Sequence, residues 1–313
     1  MRSIDPRRPA TFAAVQRPLV VGVGHVGVAL TAAAENLPEP DATGPVAATA
    51  VAASPAPGVA VALSAAMALG CRARLGGLVG ADPLGALART CAARIGIDVE
   101  HLRPRGGAPC EVILATPHGT HTLLHYPGHD DGGVELDLNA LLAGAGALLV
   151  DGSAVPAQIA AAERARELAI PVIVDVTEVA DGIGELIGLG DVLLSSERLA
   201  AELAPRADLR TALGELAAMG PRAVVITLGA AGAIGLHDGQ LVECPSFPVR
   251  VVDATGAGAV FHGAFAAGLL GALPFARCVE LAAAAAALTC RLVGPWDAVP
   301  GRDEVMALVK TRR

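Results

Sequence analysis

Short apolar runs alternate with Ala-, Glu- and Arg-rich stretches along most of this chain, and the alternation predicts an α/β protein. Pro18–Gly24 (PLVVGVG) is unbroken apolar sequence closed by glycines, the pattern of a strand buried on both faces. Residues 58–70 have helical spacing and stop at Gly70. Arg74–Val79 reads as a strand and Pro83–Ile95 as a helix. Glu111–Tyr126 holds two strand-like runs joined at Pro117-His118-Gly119, which predicts a hairpin. Beyond it the rhythm becomes regular. Ala147–Val150 and Val172–Val176 flank a helix at 156–168, and Val192–Leu194 and Ala223–Leu228 flank another at 197–219. Strands alternating with helices imply a mostly parallel sheet covered on both faces. The hairpin interrupts that order and belongs to a smaller β addition. Residues 1–17 are polar and read as an arm ahead of a single α/β body.

Composition narrows the classes. The 313 residues carry 23 Lys and Arg against 31 Asp and Glu, a formal net charge of −8, and Lys310 is the only lysine. Scattered basic residues in an acidic chain argue against nucleic-acid binding. Hydrophobic residues make up 53%, but only five Phe, one Tyr and one Trp are present, so Ala, Val, Leu and Gly must build the core. A mean hydropathy of +0.54 raises a membrane reading for Ala254–Ala276 and Ala42–Cys71, both free of charge. Glycines, prolines and a predominance of Ala in these segments favour buried protein instead. The Arg pair near the N-terminus has no apolar stretch directly behind it, so no secretory signal is expected. Six cysteines without CxxC spacing suggest neither zinc nor a disulfide framework. A reducing cytoplasm is the expected location.

Two glycine motifs are candidates for anion binding. Gly22-Val23-Gly24-His25-Val26-Gly27 matches G-x-G-x-x-G after a strand, and Asp41 lies where a ribose-binding acid would in a dinucleotide site. Pro38 and Pro40 argue against the interior strand such a site requires, so this motif reads as a glycine-rich strand end. The second motif, Asp253-Ala254-Thr255-Gly256-Ala257-Gly258, opens into an apolar helical segment, Ala259–Ala266. Small residues there let backbone N–H groups converge beside a helix N-terminus, a cradle for a phosphoryl group or an oxyanion. The same stretch also fits a tight strand-to-helix turn that binds nothing.

Asp253–Phe265 resembles the C-terminal signature of the PfkB (ribokinase-like) carbohydrate kinases, D-T-x-G-A-G-D-x-F-x-G-A-F. Gly80-Ala81-Asp82-Pro83-Leu84-Gly85 is similar to that family's G-x-D-x-x-G turn. Thr227-Leu228-Gly229-Ala230-Ala231-Gly232 resembles its T-x-G-x-x-G nucleotide loop. Leu37-Pro38-Glu39-Pro40 and Pro300–Val305 resemble its L-P-x-P and P-x-x-x-E-V segments. The ordered set covers about residues 18–308. It implies a ribokinase-like three-layer αβα sandwich with a small β lid, whose segments fall near 27–50 and 108–128 of a domain running from 18 to 313. It also implies ATP-dependent phosphorylation of a sugar-like hydroxyl, with Mg²⁺ and in some relatives K⁺. Carried over by position, Gly256, Ala257 and Gly258 form the anion hole. Thr227, Gly229, Gly232 and Glu197 serve the nucleotide, and Asp253 and Thr255 serve a monovalent cation. The resemblance further implies a homodimer paired through the lid, while charge and composition argue against a nucleic-acid or membrane partner.

The departures from the family pattern fall on the chemistry. The family's last signature aspartate, the base that takes the hydroxyl proton, is replaced by Ala259. A methyl group accepts no proton, and losing a positioned base typically costs about 10²–10⁴ in rate. The substrate-holding aspartate falls at Ala29. The G-G-x-x-x-N turn appears as Ala56-Pro57-Gly58-Val59-Ala60-Val61, and Gly119-Thr120-His121-Thr122 lacks the arginine of G-E-R-T. The N-x-x-E region is most similar to Ser195-Ser196-Glu197. Three readings stand: an impaired sugar kinase, a pseudokinase acting through a bound nucleotide or metabolite, and, on the residue 22–27 motif alone, an NAD-dependent oxidoreductase. His118, His121, His125 and His129 cluster near the hairpin, but their spacing does not put them on one face of a strand, which disfavours a metal site. Asp130-Asp131 reads as a solvated loop and Ala282–Ala287 as a tightly packed helix.

Overall fold

The computed structural model describes residues 17–37, 44–56, 58–116, 121–129, 135–205, 207–292 and 299–312. The Pro38–Pro40 segment, Asp41, Pro57, the hairpin tip at 117–120 and Asp130-Asp131 lie outside these residues.

Nine strands form the main sheet, in the order β12-β11-β10-β9-β8-β7-β1-β3-β4. They are β1 (Leu19–Ala34), β3 (Arg72–Val79), β4 (Asp98–Pro104), β7 (Ala145–Val150), β8 (Val172–Val176), β9 (Val192–Ser196), β10 (Ala223–Thr227), β11 (Ala233–His237) and β12 (Gln240–Cys244). From β10 to β4 every pairing is parallel, and β11 and β12 close one edge antiparallel. Alternation divides the central strands between two cores. On β1, Val20 faces one core while Leu19, Val21 and Val23 face the other. Burial on both faces is why these strands read as unbroken apolar runs.

The first core is covered by α1 (Val59–Ala68), α2 (Pro83–Arg94), α8 (Ala257–Leu270), α9 (Phe275–Thr289) and α10 (Arg302–Lys310). The second is covered by α3 (Leu138–Leu142), α4 (Val155–Glu167), α5 (Ile183–Leu189), α6 (Glu197–Leu203) and α7 (Leu209–Ala218). The result is the three-layer αβα sandwich. No helix of the described residues is long and apolar enough to cross a membrane.

Two expectations require correction. The helix expected over 197–219 is two helices, because Pro205 supplies no N–H and disfavours helical geometry in the residue before it; Ala204 sits at φ −125°. The strand expected to end at Gly24 runs on to Ala34, 16 residues in all. Its far half leaves the main sheet, pairing antiparallel with β2 (Ala48–Ala56) and parallel with β5 (Cys110–Ala115). β5 in turn pairs antiparallel with β6 (His121–Tyr126), giving a four-stranded side sheet. Gly22 and Gly24 therefore lie inside a strand. A Cβ on Gly22 would stand 2.4 Å from Val59 Cγ2, so glycine here lets α1 pack flat on β1. No dinucleotide turn exists at this point.

Candidate active site

The parallel strands end along one edge, where ligands bind in open α/β sheets. On β7, β8, β9 and β10 the residues facing the first core alternate with those facing the second. Continuing that alternation past Leu149, Ile173, Leu194 and Val225 brings Asp151, Asp175, Ser196 and Thr227 to the edge on the side of α1 and α8. Carboxylates and hydroxyls thus replace Val and Leu where the strands run out beside α8.

Gly256, at φ 78°, turns the chain into α8, and no side chain caps this helix. The first N–H groups of a helix have no intrahelical partner and concentrate positive potential. Among the described residues, the Gly258 and Ala259 amides donate to no protein acceptor. Space is open where a Cβ on Gly258 would project. Just ahead, the buried Asp253 carboxylate accepts from Thr255 N at 2.9 Å and Thr255 Oγ1 at 2.6 Å. Asp253, Thr255, Gly256, Ala257, Gly258 and Ala259 are thus one continuous surface: a carboxylate and a hydroxyl followed by open backbone donors. Ala259 sits partly buried against the first core.

Thr227 ends β10, its Oγ1 donating to Ser195 O at 3.2 Å on β9. Gly229 begins a short 3₁₀ turn closed by Gly232, where Leu228 N donates to Gly232 O at 2.8 Å. Glu197 opens α6 after Ser196, which caps that helix by accepting from Leu199 N. Glu197 faces a hollow shared with Ala200, Asp208, Arg210 and Ile234, whose lining includes none of Thr227, Gly229 and Gly232. The structure therefore gathers the Asp253–Ala259 set and the Thr227–Gly232 turn on the same edge, and turns Glu197 toward α7.

Two polar groupings escaped the sequence reading. Asp151 follows β7 and caps α1 from a distant strand, its Oδ2 accepting from Val59 N at 2.9 Å. Its Oδ1 accepts from Ser153 N at 3.0 Å, Ser153 Oγ at 2.5 Å and Gln158 Nε2 at 2.8 Å. Burial pushes the Asp151 carboxyl above the usual range, against these donors. Gln158 also donates to Val23 O at 2.7 Å, and Ser153 Oγ accepts from His25 N at 2.9 Å, tying β1, β7, α1 and α4 together. The second grouping is a buried pair: His262 Nδ1 of α8 lies against the Asp175 carboxylate of β8. The signal available in sequence was an acid directly after an apolar run, at Asp151 and within Val172–Val176.

The positions expected from the resemblance to face the acceptor are apolar and buried. Ala29 is fully buried on β1 between Ser54 of β2 and Glu111 of β5, and Val61 is buried in α1. Near the hairpin, His125 faces Glu111 at 3.5 Å, and Tyr126 Oη is 3.3 Å from His129 Nδ1. No group of three or more His, Cys, Asp or Glu suited to a metal ion gathers among the described residues. The cysteines are free, and burial raises the Cys71 and Cys278 thiols to about 11, which keeps them protonated and inert.

Comparison with known proteins bears on this edge. Residues 18–301 match the pfkB family carbohydrate kinase. The ribokinase of Lactococcus lactis is 35% identical over 127 residues, 40% of this chain and 41% of that protein, so the match spans less than half of that relative. The ribokinase of Haemophilus influenzae is 24% identical over 79% of this chain and 84% of its own length. The structure of Arabidopsis thaliana ribokinase complexed with ribose and ATP superposes with a TM-score of 0.78 at 24% identity, covering 94% of this chain and 99% of that one. That likeness shows the fold.

Proposed function

The chain belongs to the pfkB family of carbohydrate kinases, and from that premise we propose that it binds ATP and a sugar-like acceptor at the α8 edge and transfers the phosphoryl group with strongly reduced efficiency. The observation that carries this reading is the uncapped α8 N-terminus, whose Gly258 and Ala259 amides stay open while position 259 supplies no carboxylate. Backbone donors there stabilise charge on the transferring phosphoryl oxygens. The Thr227–Gly232 turn serves the nucleotide, and Glu197, which opens onto a separate hollow beside α7, is left out of that role. Mg²⁺ bound with the nucleotide would neutralise phosphate charge there. Asp253 and Thr255 are a hard-oxygen donor pair that fits K⁺.

The side sheet of residues 27–34, 48–56, 110–115 and 121–126 acts as the lid over the acceptor. Val51, Leu124 and Tyr126 are exposed on its outer strands, which supports pairing of two copies through the lid. A monomer mass at micromolar concentration would refute that pairing. Free cysteines support a reducing compartment such as the cytoplasm.

A pseudokinase reading is favoured by one observation, the buried apolar residues at Ala29 and Val61 on the acceptor side. Nucleotide binding is common to both readings, so it is tested first. ATP or ADP with Mg²⁺ should raise the melting temperature, by about 2.7 kcal/mol of stabilisation at a hundred times Kd. No shift at millimolar nucleotide overturns the proposal, and a shift with NAD alone would restore the oxidoreductase.

A further inference from the structure

We propose that His262, oriented by Asp175, takes the acceptor's hydroxyl proton in this chain in place of the carboxylate missing at position 259; the inference rests on the kinase reading above. Three observations converge. His262 lies three residues beyond Ala259 on α8, so the two share a helix face. Helical side chains lean toward the N-terminus, the direction of the turn holding Gly258 and Ala259. Both members of the pair are nearly buried, with side chains 6% and 7% exposed, and they join α8 to the ligand-binding edge of β8.

The contact bears on the chemistry of the ring. Nδ1 lies against the Asp175 carboxylate, though not in hydrogen-bonding geometry, and a carboxylate beside Nδ1 favours the proton on that nitrogen, which leaves Nε2 its lone pair. No protein group among the described residues bonds Nε2. A carboxylate behind an imidazole holds the tautomer and stabilises the imidazolium that forms when Nε2 accepts a proton. In the step itself, a lone pair of the acceptor oxygen forms the new O–P bond to the γ-phosphorus of ATP. The bond from that phosphorus to the bridging oxygen breaks and its electron pair leaves with ADP. The hydroxyl proton passes to His262 Nε2, and the imidazolium later returns it to water.

A structural role alone explains the pair less well. Buried ion pairs are seldom more stabilising than apolar residues of similar volume, and α8 is otherwise lined with Ala, Val and Phe. The test uses the full chain and a panel of sugars, reading ADP release alongside the melting shift with ATP. His262→Asn keeps a donor beside the Asp175 carboxylate, where Nδ1 stands, but it cannot accept a proton. Its kcat should fall by about 10²-fold while the ATP shift stays unchanged. In an Ala259→Asp background the same substitution should cost little, because the restored carboxylate takes the proton. Should His262→Asn fold poorly, Asp175→Asn serves, with a loss of about 10²-fold or more expected from the lost charge. An undiminished rate in either folded variant overturns the inference. If Ala259→Asp releases ADP but the parent chain does not, the pair is no base, and the kinase reading stands. If neither releases ADP with any sugar, the kinase reading falls and the role of His262 with it.

Discussion

The two ends of the binding edge have diverged. Around α8 and β10 the chain keeps small, backbone-exposing residues: Gly256 in the left-handed region, Gly258 facing open space, and the Gly229–Gly232 turn. Around β1 and α1 the corresponding edge is filled by Ala29, Val59 and Val61, all buried. Backbone donors recognise phosphate whatever the acceptor is, whereas a sugar is recognised by side-chain carboxylates and amides. A lineage can therefore lose its acceptor contacts while its phosphate site remains legible, because the second is written in glycines and the first in polar side chains. Retention of the cradle speaks for nucleotide chemistry. On the other side, Ala29, Val59 and Val61 stand where the family pattern puts polar contacts or their neighbours.

The sharpest way to break this comparison is at position 259, where the halves meet. Ala259→Asp places a carboxylate at the α8 N-terminus beside the open amides, able to orient a hydroxyl and accept its proton. If the acceptor half still positions a substrate, sugar-dependent ADP release should rise by about two to four orders of magnitude. A flat response across the panel, in a folded and ATP-binding variant, would show that the acceptor half has lost positioning as well as its base, and would favour the pseudokinase.

The seam between the halves is the next target. A Cβ on Gly263 would lie 1.8 Å from Ala62 O, so α8 and α1 touch backbone to backbone at this glycine. Gly263→Val must push the helices apart. Overpacking of this kind costs about 1–3 kcal/mol, and thermal unfolding should show a drop of several degrees. Because the shift would move the phosphate cradle relative to β1, the stabilisation by ATP should shrink in the same variant. An unchanged ATP response would mean that the cradle works independently of the acceptor half.

Much of this arrangement was legible before the structure. Strands buried on both faces show as apolar runs, and β7, β8, β9 and β10 stand where such runs lie. The far half of β1 was legible only through the family resemblance, which put a lid segment near 27–50, and not from its own residues. Its sequence, Val28 to Ala34, is mostly alanine, a weak strand former, and it extends only because β2 and β5 pair with it. The break between α6 and α7 was signalled by Pro205 but overridden by the apolar periodicity around it. The Asp253–Ala259 cradle could be read because all its parts are contiguous. Asp151 with Val59 and Gln158, and Asp175 with His262, could not, because topology alone brings those residues together.

Asp82 separates what the acceptor half keeps for folding from what it has lost for chemistry. It belongs to the Gly80–Gly85 turn, which survives intact on that side. Its Oδ1 accepts from Gly85 N at 2.7 Å, capping α2, and its Oδ2 accepts from Ala108 N at 3.0 Å, anchoring the approach to β5. The Ala108 and Gly85 amides hold this carboxyl below its usual range. A depressed carboxyl stabilises the fold at pH above the ordinary aspartate value of 3.8, and that contribution drains away as pH falls through the lower folded value. Asp82→Ala should therefore cost about 0.5–2 kcal/mol at neutral pH, as loss of an N-cap does. The gap to the parent protein should narrow below pH 3.8. Melting curves at neutral and acidic pH would measure both effects, with the ATP-induced shift unchanged at neutral pH. A loss of nucleotide binding in this variant would mean that the retained turn on the acceptor side supports the cradle directly, and the division between the two halves would have to be redrawn.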